Sequence, residues 1–134
     1  MAQGWPIAGR LRARGGHRQM RSVLVVEDDD QLRKVLTTTL EGLGFRYEEA
    51  PDGRAALQKL CQATIDGAMY DCMLLDIVMP EIDGWQVLDA VKNNPLWAPL
   101  KVVVLTGYAT TARDVSRVAG YDGVHIEKKG SFIK

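Results

Sequence analysis

Hydrophobic residues along this chain fall into two alternating patterns. Unbroken apolar runs occur at residues 23–26, 72–75 and 102–105. Runs of that length, bounded by polar residues, are what strands buried on both faces look like. Between them, apolar residues recur at helical spacing. Leu32, Val35, Leu36, Thr39, Leu40 and Leu43 trace one face of a helix. Asp29 or Asp30 can cap it, and Gly42 and Gly44 can stop it. Residues 45–48 predict a weaker second strand. Pro51-Asp52-Gly53 opens a second helix with Ala55, Ala56, Leu57 and Leu60 inward, and residues 64–70 then read as a long connection, a surface insertion without catalytic meaning. A third helix starts at Asp83-Gly84 and runs through Val87, Leu88 and Val91. It ends before the Pro95/Pro99 segment, because proline disfavours helical geometry in the residue before it. Residues 110–118 predict a modest fourth helix with Asp114 and Arg117 facing solvent, and residues 123–127 a fifth strand.

Strands alternating with helices predict an α/β fold: a doubly wound, five-stranded parallel sheet of the flavodoxin-like kind, with helices on both faces. Right-handed crossovers bring all strand carboxyl ends to one edge. A fifth helix normally completes such a unit. Residues 131–134 supply only its first turn, so the last helix is expected to be truncated, and a homodimer is one way to cover the apolar face this leaves.

A length of 134 residues suits one domain, and 46 % apolar with 25 % charged residues is ordinary for a globular protein. The zero net charge conceals an asymmetry. Before Ser22 stand Arg10, Arg12, Arg14, Arg18 and Arg21 with no acid; from Ser22 onward 17 acids face 12 bases. Residues 1–21 are therefore expected to be a basic, disordered extension and residues 22–134 the folded domain. With Trp5 as its one aromatic residue, the extension is a poor nucleic-acid binder, and nucleic-acid contact is expected only through a separate output domain. No apolar run approaches the ~18 residues that span a bilayer. Cys61 and Cys72 lack metal-ligand spacing and read as small buried hydrophobes. Together these place the protein in the cytoplasm, away from membranes.

The residues delivered to the carboxyl edge of the sheet carry the chemistry. Glu27 and Asp28 follow the first strand, Asp76 the third, Thr106 the fourth and Lys128 the fifth. Ligands of open α/β sheets bind at that edge. Clustered carboxylates repel and call for a cation; oxygen-only ligands point to Mg²⁺. A carboxylate can attack phosphorus, and phosphoryl transfer is mostly positioning and charge neutralisation, for which a metal, a lysine and a hydroxyl are the useful partners.

Val-Val-Glu-Asp-Asp at 25–29, Leu-Leu-Asp-Ile-Val-Met-Pro-Glu-Ile-Asp-Gly at 74–84 and Leu-Thr-Gly-Tyr at 105–108 occur with family-like separations from Asp76 to Thr106 and from Thr106 to Lys128. From Met20 to its end the chain resembles the receiver domain (CheY-like phospho-acceptor) of two-component response regulators. The resemblance implies that Asp76 accepts phosphate from a phosphohistidine on a sensor histidine kinase or phosphotransfer protein. Asp28, Asp76 and the backbone carbonyl of Val78 would bind Mg²⁺, and Glu27 would act through a metal-bound water. Thr106 would bond a phosphate oxygen, Gly107 would leave room for it, and Lys128 would pair with its charge. His125 stands where the family has an aromatic switch residue. Asp29 and Asp30 match helix-start positions. The family lysine is usually followed by proline, whereas Lys128 is followed by Lys129, which remains an alternative. Val78 and Tyr108 flank the path of hydrolytic water without an acid or amide to orient it, so slow self-dephosphorylation is expected. The output surface is expected at residues 110–127, read by a partner protein or output domain. Alternatives are a pseudo-receiver that works without phosphorylation and an aspartyl-phosphate phosphatase or phosphotransferase. The latter usually carries a second acid two residues after the nucleophile, where Val78 stands. Trp85 and Trp97 read as packing residues, Met79-Pro80 as shaping the acceptor loop, and Gly84 as serving backbone geometry after Asp83.

Overall fold

The three apolar runs become the three central strands of a parallel sheet. The computed structural model describes residues 21–79, 81–106 and 112–128. In chain order the elements are β1 (Ser22–Val26), α1 (Asp30–Gly42), β2 (Arg46–Ala50), α2 (Gly53–Asp66), β3 (Cys72–Asp76), α3 (Gly84–Asn93), β4 (Lys101–Thr106), α4 (Ala112–Ala119) and β5 (Val124–Lys128). The strand order is β2-β1-β3-β4-β5, all parallel, so the winding reverses between β1 and β3. That reversal is where a crevice opens at the strand carboxyl ends. The expected fold class is what the chain adopts.

Alternation along the strands builds two cores. Leu24, Val26, Met73, Leu75, Val102 and Val104 face Ala56 and Leu60 of α2 and Val87, Leu88 and Val91 of α3. Val23, Val25, Cys72, Leu74, Val103 and Leu105 share the other core with Leu36 and Leu40 of α1. Each fully buried leucine or valine contributes about 1.5–3 kcal/mol. Aspartates start three helices. Asp29 accepts from the N–H groups of Gln31 (2.9 Å) and Leu32 (3.1 Å), and Asp52 from that of Ala55 (2.8 Å). Asp83 accepts from the Gln86 N–H at 3.0 Å, and the Gln86 side chain accepts from the Asp83 N–H at 2.9 Å. Each such cap satisfies donors that the helix itself leaves open.

Several expectations shift. On α1, Thr37 faces the core (4 % exposed) and Val35 does not (38 %), because the stripe set by Leu36 and Leu40 passes on the far side of Val35. The second strand runs from Arg46 to Ala50, and Phe45 is a buried lead-in. Helix α2 continues through Thr64 to Asp66 and ends on Gly67 in the left-handed conformation (φ 66°). The first three residues of the expected 64–70 insertion are therefore helix, and the segment packs. Trp97 donates to the Thr64 hydroxyl at 2.8 Å, as fits a packing residue, and buried Tyr70 donates to Glu48 at 2.8 Å. Cys72 is buried as expected, whereas Cys61 is exposed on the outer side of α2. The expected basic extension, apart from Arg21, and the expected truncated helix lie outside the described residues.

Candidate functional site

The site forms where β1 and β3 end side by side, with Val26 opposite Leu75. The Glu27 N–H donates to the Ala50 carbonyl at 3.1 Å, which fixes the turn out of β1. The Glu27 side chain is fully buried and accepts from the Asp29 N–H at 3.1 Å. Asp28 is exposed. Asp76, the last residue of β3, is fully buried, and its Oδ1 accepts from the Val78 N–H at 3.1 Å. One oxygen from each of Glu27, Asp28 and Asp76 lies within 4.8 Å of the others. Two unit charges about 5 Å apart repel by about 3 kcal/mol at an effective dielectric near 20. A hard divalent cation relieves that repulsion, and an all-oxygen donor set of two buried acids and one exposed acid fits Mg²⁺.

Gly84 holds the loop after Asp76 in place. A Cβ there would stand 2.3 Å from the Asp76 carbonyl oxygen and 2.5 Å from Ile77 Cα. The Gly84 N–H donates to the Ile77 carbonyl at 2.9 Å. Glycine is required here by close approach, which corrects the expectation that it serves backbone geometry. The loop does contain one left-handed residue, Glu81 (φ 62°), a conformation that costs a non-glycine residue roughly 1–2 kcal/mol. Val78 is 63 % exposed at the mouth of the site.

Thr106 ends β4 and pairs in register with Lys128 at the end of β5, one position beyond the pairing of Asp76 with Leu105. The backbone thus brings both residues to the edge that carries the acids. Gly107, Tyr108, Pro80 and Lys129 lie outside the described residues. His125 is exposed on β5, in register with Val103.

Two contributors escape sequence reasoning. Arg33, on α1, donates to the Glu27 carbonyl at 2.8 Å, to Glu49 at 3.0 Å and to Asp30 at 2.6 Å, bracing the β1 turn from below. Burial works against its charge, but the two carboxylates more than offset that and raise its pKa. The only available signal was an arginine on the inward edge of an amphipathic helix. The second contributor is Arg117, which is exposed as expected. Its guanidinium also stacks over Trp85 of α3, 4.2 Å from the ring centroid, and lies 3.5 Å from Asp89. Tyr121 also donates to Asp89, a bond that raises the Tyr121 pKa with help from burial. This cluster ties α4 to the helix that begins beside Asp76.

The family model for the response regulator receiver domain matches residues 23–129. The chain belongs to the response regulator receiver family. It is similar to the transcriptional regulatory protein TcrA of Mycobacterium tuberculosis (strain ATCC 25618 / H37Rv), 33 % identical over 101 residues, which cover 75 % of this chain and 36 % of TcrA. Its likeness to the response regulator receiver protein CpdR of Brucella abortus (strain 2308) is 29 % over 109 residues, covering 81 % of this chain and 85 % of CpdR. Among solved structures, the N-terminal domain of a receiver protein from Methanoculleus marisnigri JR1 superposes with a TM-score of 0.71 at 28 % identity, covering 82 % of this chain and 85 % of that one. The chain thus spans about a third of the length of TcrA. Receiver domains are signalling modules of two-component systems, not classical enzymes. They work with histidine kinases or phosphotransfer proteins and with output domains. Among the described residues no helix is long and apolar enough to cross a membrane.

Proposed function

We propose that this receiver is a phosphorylation switch in which Asp76 accepts a phosphoryl group from a phosphohistidine of a sensor histidine kinase or phosphotransfer protein. The observation that carries the reading is the fully buried Asp76 carboxylate at the end of β3, within 4.8 Å of Glu27 and Asp28. An Asp76 oxygen attacks phosphorus, the P–N bond to the imidazole breaks, and the imidazole takes up a proton. Asp28, Asp76 and the Val78 carbonyl would hold Mg²⁺, with Glu27 reaching it through a bound water. The ion supplies neutralisation of the charge that gathers on the phosphoryl oxygens. Thr106 donates its hydroxyl to one of those oxygens, Gly107 leaves space for them, and Lys128 pairs with their charge. Lys129 is the alternative for that last role.

The added charge biases the β4–α4–β5 side of the domain, with His125 as the residue that changes position, and alters the surface at residues 110–127 for an output domain, a target protein or a second copy. The exposed Val78 beside the site offers no acid or amide to orient attacking water, which supports a long-lived phosphorylated state. A cytoplasmic location follows from the kinase partner.

Incubation with Mg²⁺ and acetyl phosphate tests the reading. The expected product is a stoichiometric, acid-stable, hydroxylamine-labile phosphate that Asp76→Asn abolishes. The departure at Lys128-Lys129 favours a second reading, a pseudo-receiver, which predicts no label at all. Repeated turnover would instead identify a phosphatase or phosphotransferase. Loss of the acyl phosphate within seconds would refute the long-lived state.

A further inference from the structure

Helix α2 carries two apolar stripes, one buried in the core and one that only touches it at Leu57 and leaves Cys61 and Ile65 exposed. Ala56, Leu60 and Ala63 face the sheet. Leu57, Cys61 and Ile65 recur every fourth residue on the outer side and, with Ile82 from the loop after Asp76, line a groove of about 430 Å³. Ile65 is 78 % exposed, the largest exposure among the large apolar side chains described. The seam is small and is flanked by Arg54, Gln58 and Gln62, so its charges are needed to say whether anything covers it.

The charges at its ends indicate what covers it. Arg54 lies in the first turn of α2 and Asp66 in the last, with no acid in the first turn and no base in the last. Asp52 already caps the start of α2 with negative charge, so Arg54 and Asp66 matter as opposite charges at the two ends of the seam. Arg54 has no ion-pair partner among the described residues, and Asp66 accepts only from the Gln62 amide, at 2.9 Å. A second α2 laid antiparallel gives both charges a partner at once. Each arginine then lies near the carboxyl end of the facing helix and beside its aspartate.

We propose that the outer face of α2 is a self-complementary interface through which two copies of this chain pair about a two-fold axis at Cys61. Centring the axis there sets Leu57 of one copy against Ile65 of the other. It leaves Arg54 two residues, about 3 Å along the helix axis, from the position facing the other copy's Asp66, well within reach of a guanidinium. The contact is isologous and therefore closes as a dimer. It does not involve the acid cluster, so it forms without phosphorylation and stands or falls independently of the role proposed for Asp76.

Sedimentation equilibrium of the full, unmodified chain at concentrations from about 10 to 500 µM, the range suited to a small interface, tests it. The expected result is a monomer–dimer equilibrium. Ile65→Lys, at an exposed position that the fold tolerates, is expected to abolish the dimer. Reversing both symmetry-related pairs with Arg54→Asp should weaken it by about tenfold, and Arg54→Asp combined with Asp66→Arg should restore it. A short bismaleimide should couple Cys61 to Cys61 in wild type and fail in Ile65→Lys. The proposal is overturned by a monomer at every concentration, by a dimer that survives Ile65→Lys, or by a double variant no stronger than Arg54→Asp alone.

Discussion

Replacing Gly84 with alanine adds one methyl group at the most crowded of the described glycines. That carbon would sit 2.3 Å from the Asp76 carbonyl oxygen, 2.5 Å from Ile77 Cα and 3.0 Å from the Asp76 carbonyl carbon. All three neighbours are backbone, so no side chain can rotate aside, and the first turn of α3 must move away from β3. Overpacking of this kind costs about 1–3 kcal/mol. Lengthening the 2.9 Å bond from the Gly84 N–H to Ile77 removes about 1 kcal/mol more. Alanine's better helix propensity returns up to about 1 kcal/mol. The net expectation is a loss of about 3 kcal/mol, near the top of the range because of the depth of overlap, and a fall in Tm of about 10 °C for a domain of this size. Gly42 provides the control. It also lies in a helix, but a Cβ there meets nothing within 4 Å and its φ is not positive. Gly42→Ala is expected to raise Tm slightly, by about 2 °C. Thermal melts followed by circular dichroism compare the two. A Gly84→Ala melt within 2 °C of wild type would show that the loop is not held as argued.

Adding Mg²⁺ at about ten times its dissociation constant should stabilise wild type by about 1.4 kcal/mol, or about 5 °C. Asp76→Asn should lose most of that shift, and equal shifts in the two proteins would remove Asp76 from the metal site. At pH 8 one thiol, Cys61, should react with a disulfide reagent in the native state and a second only after denaturation, because burial pushes the Cys72 thiol up to about 12. A raised folded-state pKa means that the stability from neutral Cys72 is intact below its unfolded pKa and is lost as pH rises through about 12. Cys72→Ala should therefore flatten alkaline unfolding in that window. Arg117→Ala removes the stack on Trp85 and the contact with Asp89, and should cost about 1 kcal/mol and change the Trp85 emission. An unchanged spectrum would mean that α4 is not tied to α3 in solution.

The central strands were readable because burial on both faces leaves an unbroken apolar run, as in Val23–Val26 and Cys72–Leu75. The edge strand β2 was less so. Its Arg46, Glu48 and Glu49 face solvent and carry no alternation, so its limits slipped. The end of α2 was hidden because Ile65 and Asp66 are both exposed and neither extends the inward stripe. Glu27, Asp28 and Asp76 stood out because each follows an apolar run, and the structure gathers them. What could not be read was anything set by approach in space: the contact of Gly84 with the Asp76 backbone, the reach of Arg33 to the Glu27 carbonyl, and the stack of Arg117 on Trp85. None of these leaves a periodic trace in the chain.

The pinning of Gly84 against β3 has a mechanical consequence. The segment after Asp76 is anchored by the Val78 N–H on the Asp76 carboxylate and by the Gly84 N–H on Ile77, with no slack for even one methyl group. It behaves as the fixed jaw of a clamp. Under the proposed function, new charge on Asp76 meets a start of α3 that resists movement, and the displacement is expected at the opposite jaw, where β4 and β5 end at Thr106 and Lys128. A reporter built on this domain should be anchored on α3 and read out from α4.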